Sequence, residues 1–219
     1  MKERSQTLFY IHDPMCSWCW GFRPVWHQLQ QALTGIVEVR YVLGGLAAET
    51  DEVMAVGMQN SIRDTWEKIQ CEIPGTEFNY DFWTECIPRR STYPSCRALI
   101  ACRMQQPALE ESMLQAIQHA YYLQAKNPSD DEVLISLAAD LGLDVEKFSS
   151  DLNSEACREI LDHEISTARD LYVHSFPSLV LLQGTLSKPV SIEPIAIHYT
   201  DHKIIFHQIK AKLATFSEK

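Results

Sequence analysis

The sequence has no apolar run that approaches the roughly 20 residues needed to cross a bilayer. Its first residues are polar, and the short apolar stretch that follows them is too short for the core of a signal peptide. Positive charge is also scarce: 19 Lys and Arg stand against 29 Asp and Glu, a formal net charge of −10. Because binding to a nucleic-acid backbone needs clustered Lys and Arg, that class is excluded. We expect a cytoplasmic protein that binds neither a membrane nor nucleic acid.

The seven cysteines are an odd number, in a chain that we expect in a reducing compartment. A framework of structural disulfides is therefore not expected. A free cysteine that stands alone in a sequence commonly behaves as a small buried apolar side chain. We predict that role for Cys71, Cys86, Cys96, Cys102 and Cys157. Cys16 and Cys19 form a C-x-x-C pair and need another explanation.

Zinc sites also use C-x-x-C spacing, but a structural zinc ion takes four ligands, usually from two such pairs or from a set of cysteines and histidines. The sequence has no second C-x-x-C. His198, His202 and His207 have no cysteine pair near them, and we expect them at the surface or in a C-terminal helix. The sequence therefore predicts no metal site.

The first 45 residues predict a strand, a helix and a second strand. Residues 8–11 are a short apolar run with the aromatic content of a buried strand. Apolar residues then recur at helical spacing from Cys16 to Leu33, with Pro24 as a predicted kink. Residues 37–43 alternate as a second strand. Strand, helix and strand in this order imply a right-handed crossover and a parallel pair.

The central part of the chain, residues 46–153, predicts helices and no convincing strand. Its predicted helices lie near residues 53–69, 94–104, 109–120 and 145–152. The run Ser129-Asp130-Asp131-Glu132 has the pattern of a capping box before a further helix.

The rest of the chain predicts a long helix, a hairpin and a C-terminal helix. The long helix carries Leu161, Ile165, Ala168 and Tyr172 on one face, and the apolar run 179–182 begins the hairpin. The fold class is therefore α/β, with the element order of a thioredoxin fold. Residues 1–45 and 154–219 are predicted to form the thioredoxin-like domain, and residues 46–153 an inserted helical domain.

The position of the C-x-x-C pair indicates redox chemistry. The pair directly follows a strand and begins a helix, where unpaired N–H groups and the helix dipole favour negative charge. We expect Cys16 to be exposed, with its thiolate stabilised, and Cys19 to lie one turn further in. Cys16 would attack a disulfide and Cys19 would resolve the mixed disulfide. This chemistry needs no metal or organic cofactor.

Three further residues are predicted to contact substrate beside the pair. We expect Pro177 to follow a cis peptide bond, because proline makes that isomer accessible and a thioredoxin fold has a cis-proline before the strand beside the redox pair. The backbone at Phe176 and Pro177 can then offer strand-like hydrogen bonds to an extended polypeptide. Trp18, between the cysteines, is expected to be an exposed apolar contact for substrate.

On these motifs the chain resembles the DsbA-like family, and within it the cytoplasmic FrnE-like branch of predicted protein-disulfide isomerases. The resemblance covers nearly the full length. It is carried by four segments, Asp13-Pro14-Met15-Cys16-Ser17-Trp18-Cys19-Trp20-Gly21, Ser91-Thr92-Tyr93-Pro94-Ser95-Cys96-Arg97-Ala98, residues 120–143 and Phe176-Pro177-Ser178-Leu179-Val180.

The resemblance implies a thioredoxin-like fold with an inserted helical domain. It assigns the nucleophile to Cys16, the resolving thiol to Cys19 and the cis-proline to Pro177. Ser17, beside Trp18 between the cysteines, is also predicted to contact substrate. Partners would be polypeptides or small molecules that carry thiols or disulfides, with glutathione as a candidate electron partner. Phe176 departs from the family, which usually has a smaller aliphatic residue or threonine there.

Two other functions are compatible with the sequence. The first is a glutathione-dependent transferase or isomerase of the kappa-like group, although those relatives have serine at the position of Cys16. The second is a non-catalytic polypeptide-binding (holdase) protein, in which Trp18 and Phe176 would form an apolar docking patch. The direction of electron flow, the clients and the oligomeric state are left open by the sequence.

Overall fold

A four-stranded sheet forms the centre of the structure, a computed structural model that describes residues 6–217. Its strands are β1 (Gln6–His12), β2 (Glu38–Leu43), β3 (Ser178–Thr185) and β4 (Lys188–Ile195). The strand order is β2-β1-β3-β4, with β1 parallel to β2 and antiparallel to β3. β3 and β4 form an antiparallel hairpin. The predicted α/β class and strand pairing are confirmed.

Nine α-helices surround the sheet in the described part of the chain. They are α1 (Ser17–Leu33), α2 (Val56–Glu72), α3 (Phe82–Glu85), α4 (Tyr93–Gln105), α5 (Glu110–Leu123), α6 (Asp131–Asp140), α7 (Val145–Leu152), α8 (Glu155–Asp170) and α9 (His202–Ser217). Within residues 46–153, all of them described, extended pairing is limited to a single bridge between Val53 and Arg89. The boundaries of the two domains stay a prediction. None of the helices in residues 6–217 is long and apolar enough to cross a membrane.

Alternating residues of β1 supply both faces of the sheet, because successive side chains of a strand point to opposite sides. Leu8 and Tyr10 pack with α1 and α9 on one face. Phe9 and Ile11 pack on the other face with the end of α8. The strand that leads into the C-x-x-C pair is therefore buried from both sides, which fixes the position at which α1 begins.

The helical region has two cores of its own. One joins α4 to α8 and includes Leu43 of β2, so it is continuous with the edge of the sheet. The other is aromatic, lies around Trp66 of α2, and includes Met15 from the loop before α1. The inserted helices thus pack directly against the segment that carries the cysteine pair.

Two local predictions are wrong. The capping box does not form, because the Ser129 hydroxyl donates to the carbonyl of Ser91 at 2.6 Å, and Asp130, at the N-cap of α6, makes no side-chain capping bond. Tyr172 does not lie on the buried face of α8. The helix ends before it, its φ is +60°, and its side chain is 77% exposed.

The isolated cysteines divide into two groups. Cys96, Cys102 and Cys157 are buried, as predicted. Cys86 is half-buried and Cys71 is exposed, which contradicts the prediction for Cys71. The reason is helical periodicity: α2 buries Trp66 and Ile69, and Cys71 lies on its outer side.

Candidate active site

Cys16 is the N-cap residue of α1. Its backbone is extended, with φ −78° and ψ 115°, and its sulfur accepts a hydrogen bond from the backbone N–H of Cys19 at 3.4 Å. The sulfur thus takes the place of the oxygen that usually caps a helix. The unpaired N–H groups and the dipole of a helix favour negative charge at this end.

The Phe176–Pro177 peptide bond is cis, the isomer that the sequence predicted, and it lies against the cysteine pair. The Cys16 thiol donates to the carbonyl oxygen of Phe176 at 3.4 Å. Pro177 is buried, and the strand β3 begins at the next residue. The fold therefore brings together two segments that lie 160 residues apart in the sequence.

Both cysteines are buried, so the expected exposure of Cys16 is wrong. Cys16 is 4% exposed and Cys19 is 1% exposed. The Cys16 sulfur is turned inward, between the Cys19 N–H and the Phe176 carbonyl, rather than outward from the helix end. Both thiols are free.

Trp18 and Ser17 are also more enclosed than the sequence suggested. Trp18 is half-buried, with its ring centroid 5.0 Å from that of Tyr199 and 5.7 Å from the Lys68 ammonium. The Ser17 hydroxyl accepts a hydrogen bond from the indole N–H of Trp66 at 2.9 Å. Contact of either residue with a substrate stays a prediction.

Burial changes the acidity of the second thiol, Cys19. Removal from solvent raises the pKa of the Cys19 thiol well above its usual value, and its hydrogen bond with Cys16 adds to the increase. Cys19 therefore keeps its proton at neutral pH as long as Cys16 has not formed a mixed disulfide. A raised pKa suits a resolving thiol, which has to lose its proton only after the first exchange step.

Asp13 is a buried acid in the turn that leads into the cysteine pair, two residues before Met15. Its carboxylate accepts from the backbone N–H of Met15 at 2.8 Å and of Leu46 at 2.7 Å, and from the Thr92 hydroxyl at 2.7 Å. Burial still raises its pKa. Local sequence patterns predict no defined role for Asp13, because its partners Leu46 and Thr92 are distant in the chain. The carboxylate fixes the turn that presents Cys16 and ties it to the helical region.

Tyr199 was not singled out by the sequence. It precedes α9, and its ring lies 5.0 Å from Trp18 and 5.9 Å from Phe22 between ring centroids. Burial raises its pKa, and negative charge at Cys16 and Cys19 would raise it further. No motif surrounds Tyr199, so only the tertiary structure places it beside the cysteine pair.

The pKa of His12, at the end of β1, changes when the protein folds. Burial lowers the pKa of His12 from 6.5 to about 3, and its Nδ1 has no hydrogen-bond partner among the described residues. Between these two values the unfolded chain binds more protons than the folded chain, so the free energy of unfolding falls as the pH falls. We expect wild type to lose about 1.4 kcal/mol per pH unit below pH 6.5 relative to His12→Phe, or about 2–3 kcal/mol by pH 4.5.

Urea unfolding of both proteins at a series of pH values checks this expectation. Phenylalanine preserves the ring that stacks on Tyr10 at 5.0 Å, and no hydrogen bond of Nδ1 is lost. Asp13 and the other carboxyls titrate in both proteins, so the difference isolates His12. The exposed His207 provides the control, and His207→Gln is expected to retain the wild-type pH dependence. A constant difference between wild type and His12→Phe from pH 7 to 4.5 would contradict it.

The described residues contain no group of three or more His, Cys, Asp or Glu side chains that could hold a metal ion. The Nδ1 of His198 accepts a hydrogen bond from the backbone N–H of Asp201 at 3.0 Å, and His207 is exposed on α9. The cysteine pair is arranged as a helix cap, a partner thiol and an adjacent cis-proline.

Comparisons with known proteins agree with this architecture. Residues 9–193 match the family model Thioredoxin_5, described as thioredoxin. A relative from Halalkalibacterium halodurans, named ClpXP adapter protein SpxH, is 25% identical over 221 residues, which cover 98% of this chain and 70% of the relative.

Two solved structures share the fold. One, from Nitrosomonas europaea and provisionally assigned as a protein disulfide isomerase, has a TM-score of 0.81 at 24% identity and covers 96% of this chain and 98% of its own. The other is the cytosolic disulfide reductase DsbM from Pseudomonas aeruginosa with GSH. Its TM-score is 0.64 at 26% identity, over 83% of this chain and 90% of its own. Since the family model spans most of the sequence, the chain belongs to the thioredoxin family and has the DsbA-like form of its fold.

Proposed function

We propose that the protein is a thiol–disulfide oxidoreductase in which Cys16 is the nucleophile and Cys19 the resolving thiol. One observation carries the proposal. The Cys16 sulfur lies at the N-terminus of α1, between the N–H of Cys19 and the carbonyl of Phe176 that precedes the cis-proline. The 26% identical relative DsbM, a disulfide reductase, supports the same chemistry.

The exchange proceeds in two steps that balance. The Cys16 thiolate attacks one sulfur of a substrate disulfide, which forms a Cys16–substrate disulfide and releases the other substrate sulfur as a thiolate that takes up a proton. Cys19 then loses its proton and attacks the Cys16 sulfur, which forms the Cys16–Cys19 disulfide and releases the second substrate thiolate. Two electrons pass from the dithiol to the substrate, and the reverse sequence oxidises a substrate dithiol.

The proposed substrates are disulfides in polypeptides or in small thiol compounds. We expect the backbone at Phe176 and Pro177 to offer hydrogen bonds to an extended polypeptide, with Ser17 and Trp18 as further contacts. Glutathione is the proposed electron partner, since the related DsbM structure is described with GSH. The reaction requires no metal or organic cofactor in this proposal.

Reduction of insulin, followed by turbidity in the presence of glutathione, tests the proposal. The reduced protein is expected to accelerate precipitation of the insulin B chain at substoichiometric concentration. Cys71→Ser, which removes an exposed cysteine away from the pair, is expected to be as active as wild type. A rate no higher than that of glutathione alone, with both insulin and a small disulfide as substrate, would be evidence against an exchange enzyme.

The position of the Phe176 ring is expected to depend on the absence of a side chain at Gly44. A Cβ atom at Gly44 would lie 2.0 Å from the Phe176 ring, so Gly44→Ala must displace the ring. We expect this displacement to shift the Phe176 carbonyl that faces Cys16. Because small misplacements in a reacting centre are costly, we expect the insulin reduction rate to fall about 10- to 100-fold.

The double variant Gly44→Ala/Phe176→Ala separates this steric effect from a general one. Removal of the ring makes room for the methyl group, so the double variant is expected to be more active than Gly44→Ala. Gly57→Ala is the matched control, because a Cβ atom there meets no neighbour within 4 Å. Wild-type activity in Gly44→Ala would contradict the proposed coupling of the ring to the site.

A second candidate function is delivery of client proteins to a protease. It is favoured by the SpxH relative, which is named a ClpXP adapter, and by exposed apolar side chains in the inserted region, at Val53, Val56 and Ile87. Degradation of a fluorescent client by ClpXP would then be accelerated by the protein and would persist in the Cys16→Ser/Cys19→Ser variant. No acceleration by wild type would remove this candidate. The kappa-like transferase hypothesis stays a prediction.

A further inference from the structure

A cavity of about 890 Å³ lies along α1, on the side where the helix faces the loop 73–76 and α5. Trp20, Arg23 and His27 of α1 line it from one side, at a spacing that places them on one face of the helix. Tyr199 and Glu111 line it from the other elements. Cavities of this size hold small organic molecules.

The cavity contains one fixed cation. The Arg23 guanidinium lies 5.5 Å from the centroid of the Trp20 ring, and its Nη1 is 3.3 Å from Nε2 of His119. His119 is half-buried, and burial lowers its pKa, so it is neutral and accepts the Arg23 N–H. None of the ion pairs within residues 6–217 includes Arg23. The guanidinium is therefore held in place without a carboxylate partner.

The cavity also contains one anion. Glu111 lines it from α5, and its carboxylate is 3.5 Å from the Tyr41 hydroxyl. Glu111 is absent from the same set of ion pairs, although it is near enough to Arg23 to influence that group electrostatically. A positive and a negative group thus share one cavity without neutralising each other through direct contact.

We infer that this cavity binds a zwitterionic ligand of the α-amino-acid class with an apolar side chain. The ligand carboxylate would take paired hydrogen bonds from Arg23, and its ammonium group would donate to Glu111. Its apolar part would lie against Trp20 and Tyr199. The site needs no sulfur on the ligand and no exchange at Cys16, so it stands or falls independently of the proposed oxidoreductase activity.

Three probes with the same phenyl ring test the inference: L-phenylalanine, 3-phenylpropionate and 2-phenylethylamine. The indole N–H of Trp20, which donates to the Glu77 carbonyl at 3.0 Å, supplies the signal, assigned with Trp20→Phe. In ¹H–¹⁵N spectra we expect L-phenylalanine to shift this signal, and to bind about tenfold more tightly than either singly charged probe, since each charged hydrogen bond contributes about one power of ten. The signal of Trp83, which does not line the cavity, is expected to stay in place.

Two variants test which side chain binds each charged group of the ligand. Arg23→Gln is expected to weaken the binding of L-phenylalanine and of 3-phenylpropionate about tenfold and to leave the binding of 2-phenylethylamine unchanged. Glu111→Gln is expected to weaken the binding of L-phenylalanine and of 2-phenylethylamine only. Arg40→Gln, on the exposed edge strand β2, is the control for loss of a cation. The inference is overturned if the three probes bind equally, if Trp20 does not respond to L-phenylalanine at millimolar concentration, or if both variants bind L-phenylalanine as wild type does.

Discussion

Replacement of Cys16 by serine is expected to reduce insulin reduction to the background rate, a loss on the order of 1,000-fold or more. A serine hydroxyl at the N-cap keeps the hydrogen bond from the Cys19 N–H, so α1 and its surroundings are retained. It cannot form a mixed disulfide, and Cys19 cannot substitute for it, because burial raises the pKa of the Cys19 thiol well above its usual value. The measurement is the initial rate of insulin reduction, beside circular dichroism to verify folding.

Cys19→Ser provides the contrast, because it should keep the first step and lose the second. We expect this variant to accumulate a covalent adduct with a substrate thiol, visible as an increase in protein mass that dithiothreitol reverses. Cys71→Ser should form no such adduct at the pair and should keep full activity. Retention of activity in Cys16→Ser, or an adduct on Cys71 but none on Cys16 in the Cys19→Ser variant, would remove Cys16 from the mechanism.

Local sequence patterns are sufficient to predict the part of the site that is contiguous in the chain. The strand before the pair, the helix that begins at Ser17, and the strand that follows it all lie where the apolar pattern places them. Pro177 could be paired with Cys16 because a cis-proline before a strand has a fixed relation to the first helix in this fold. Such inferences use the period of a helix or strand and the chemistry of one residue type.

The environment of the sulfur could not be predicted in the same way. The burial of Cys16 depends on the direction of one carbonyl, that of Phe176, and on side chains contributed by distant elements. The neighbours of Asp13 include Leu46 and Thr92, whose roles appear only when the inserted helices are packed. Neither position has a spacing pattern, because their contacts are tertiary. The failed capping box at Ser129 has the same cause, since Ser91 is distant in the sequence.

Trp66 illustrates how the inserted helices support the cysteine pair. It is fully buried in α2, stacks on Phe78 with ring centroids 4.8 Å apart, and donates its indole N–H to the hydroxyl of Ser17. Ser17 is the first residue of α1 and lies between the cap residue and Cys19. One side chain therefore fills the aromatic core of the inserted region and contacts the turn of helix that carries the redox pair.

Replacement of Trp66 by alanine is expected to lower the free energy of unfolding by about 3–5 kcal/mol, because a large buried aromatic side chain is lost and its cavity cannot fully close. Trp66→Phe should lower the free energy of unfolding by less, because it keeps most of the packing. It removes the hydrogen bond to Ser17, which contributes about 1 kcal/mol, and it also loses the packing of the larger ring. Trp18→Ala is the matched control, since Trp18 is half-buried and its loss leaves no enclosed cavity.

Urea denaturation followed by circular dichroism measures all three variants, with the midpoint and the slope compared separately. We expect the order of stability to be wild type, Trp18→Ala, Trp66→Phe and Trp66→Ala, with unchanged slopes. The insulin reduction rate of folded Trp66→Phe then measures the effect of losing the hydrogen bond to Ser17 on activity, separately from the effect on stability. If Trp66→Ala were no less stable than Trp18→Ala, the aromatic core would not be what holds the inserted helices against α1, and the support of the cysteine pair would have to come from Asp13 and its partners instead.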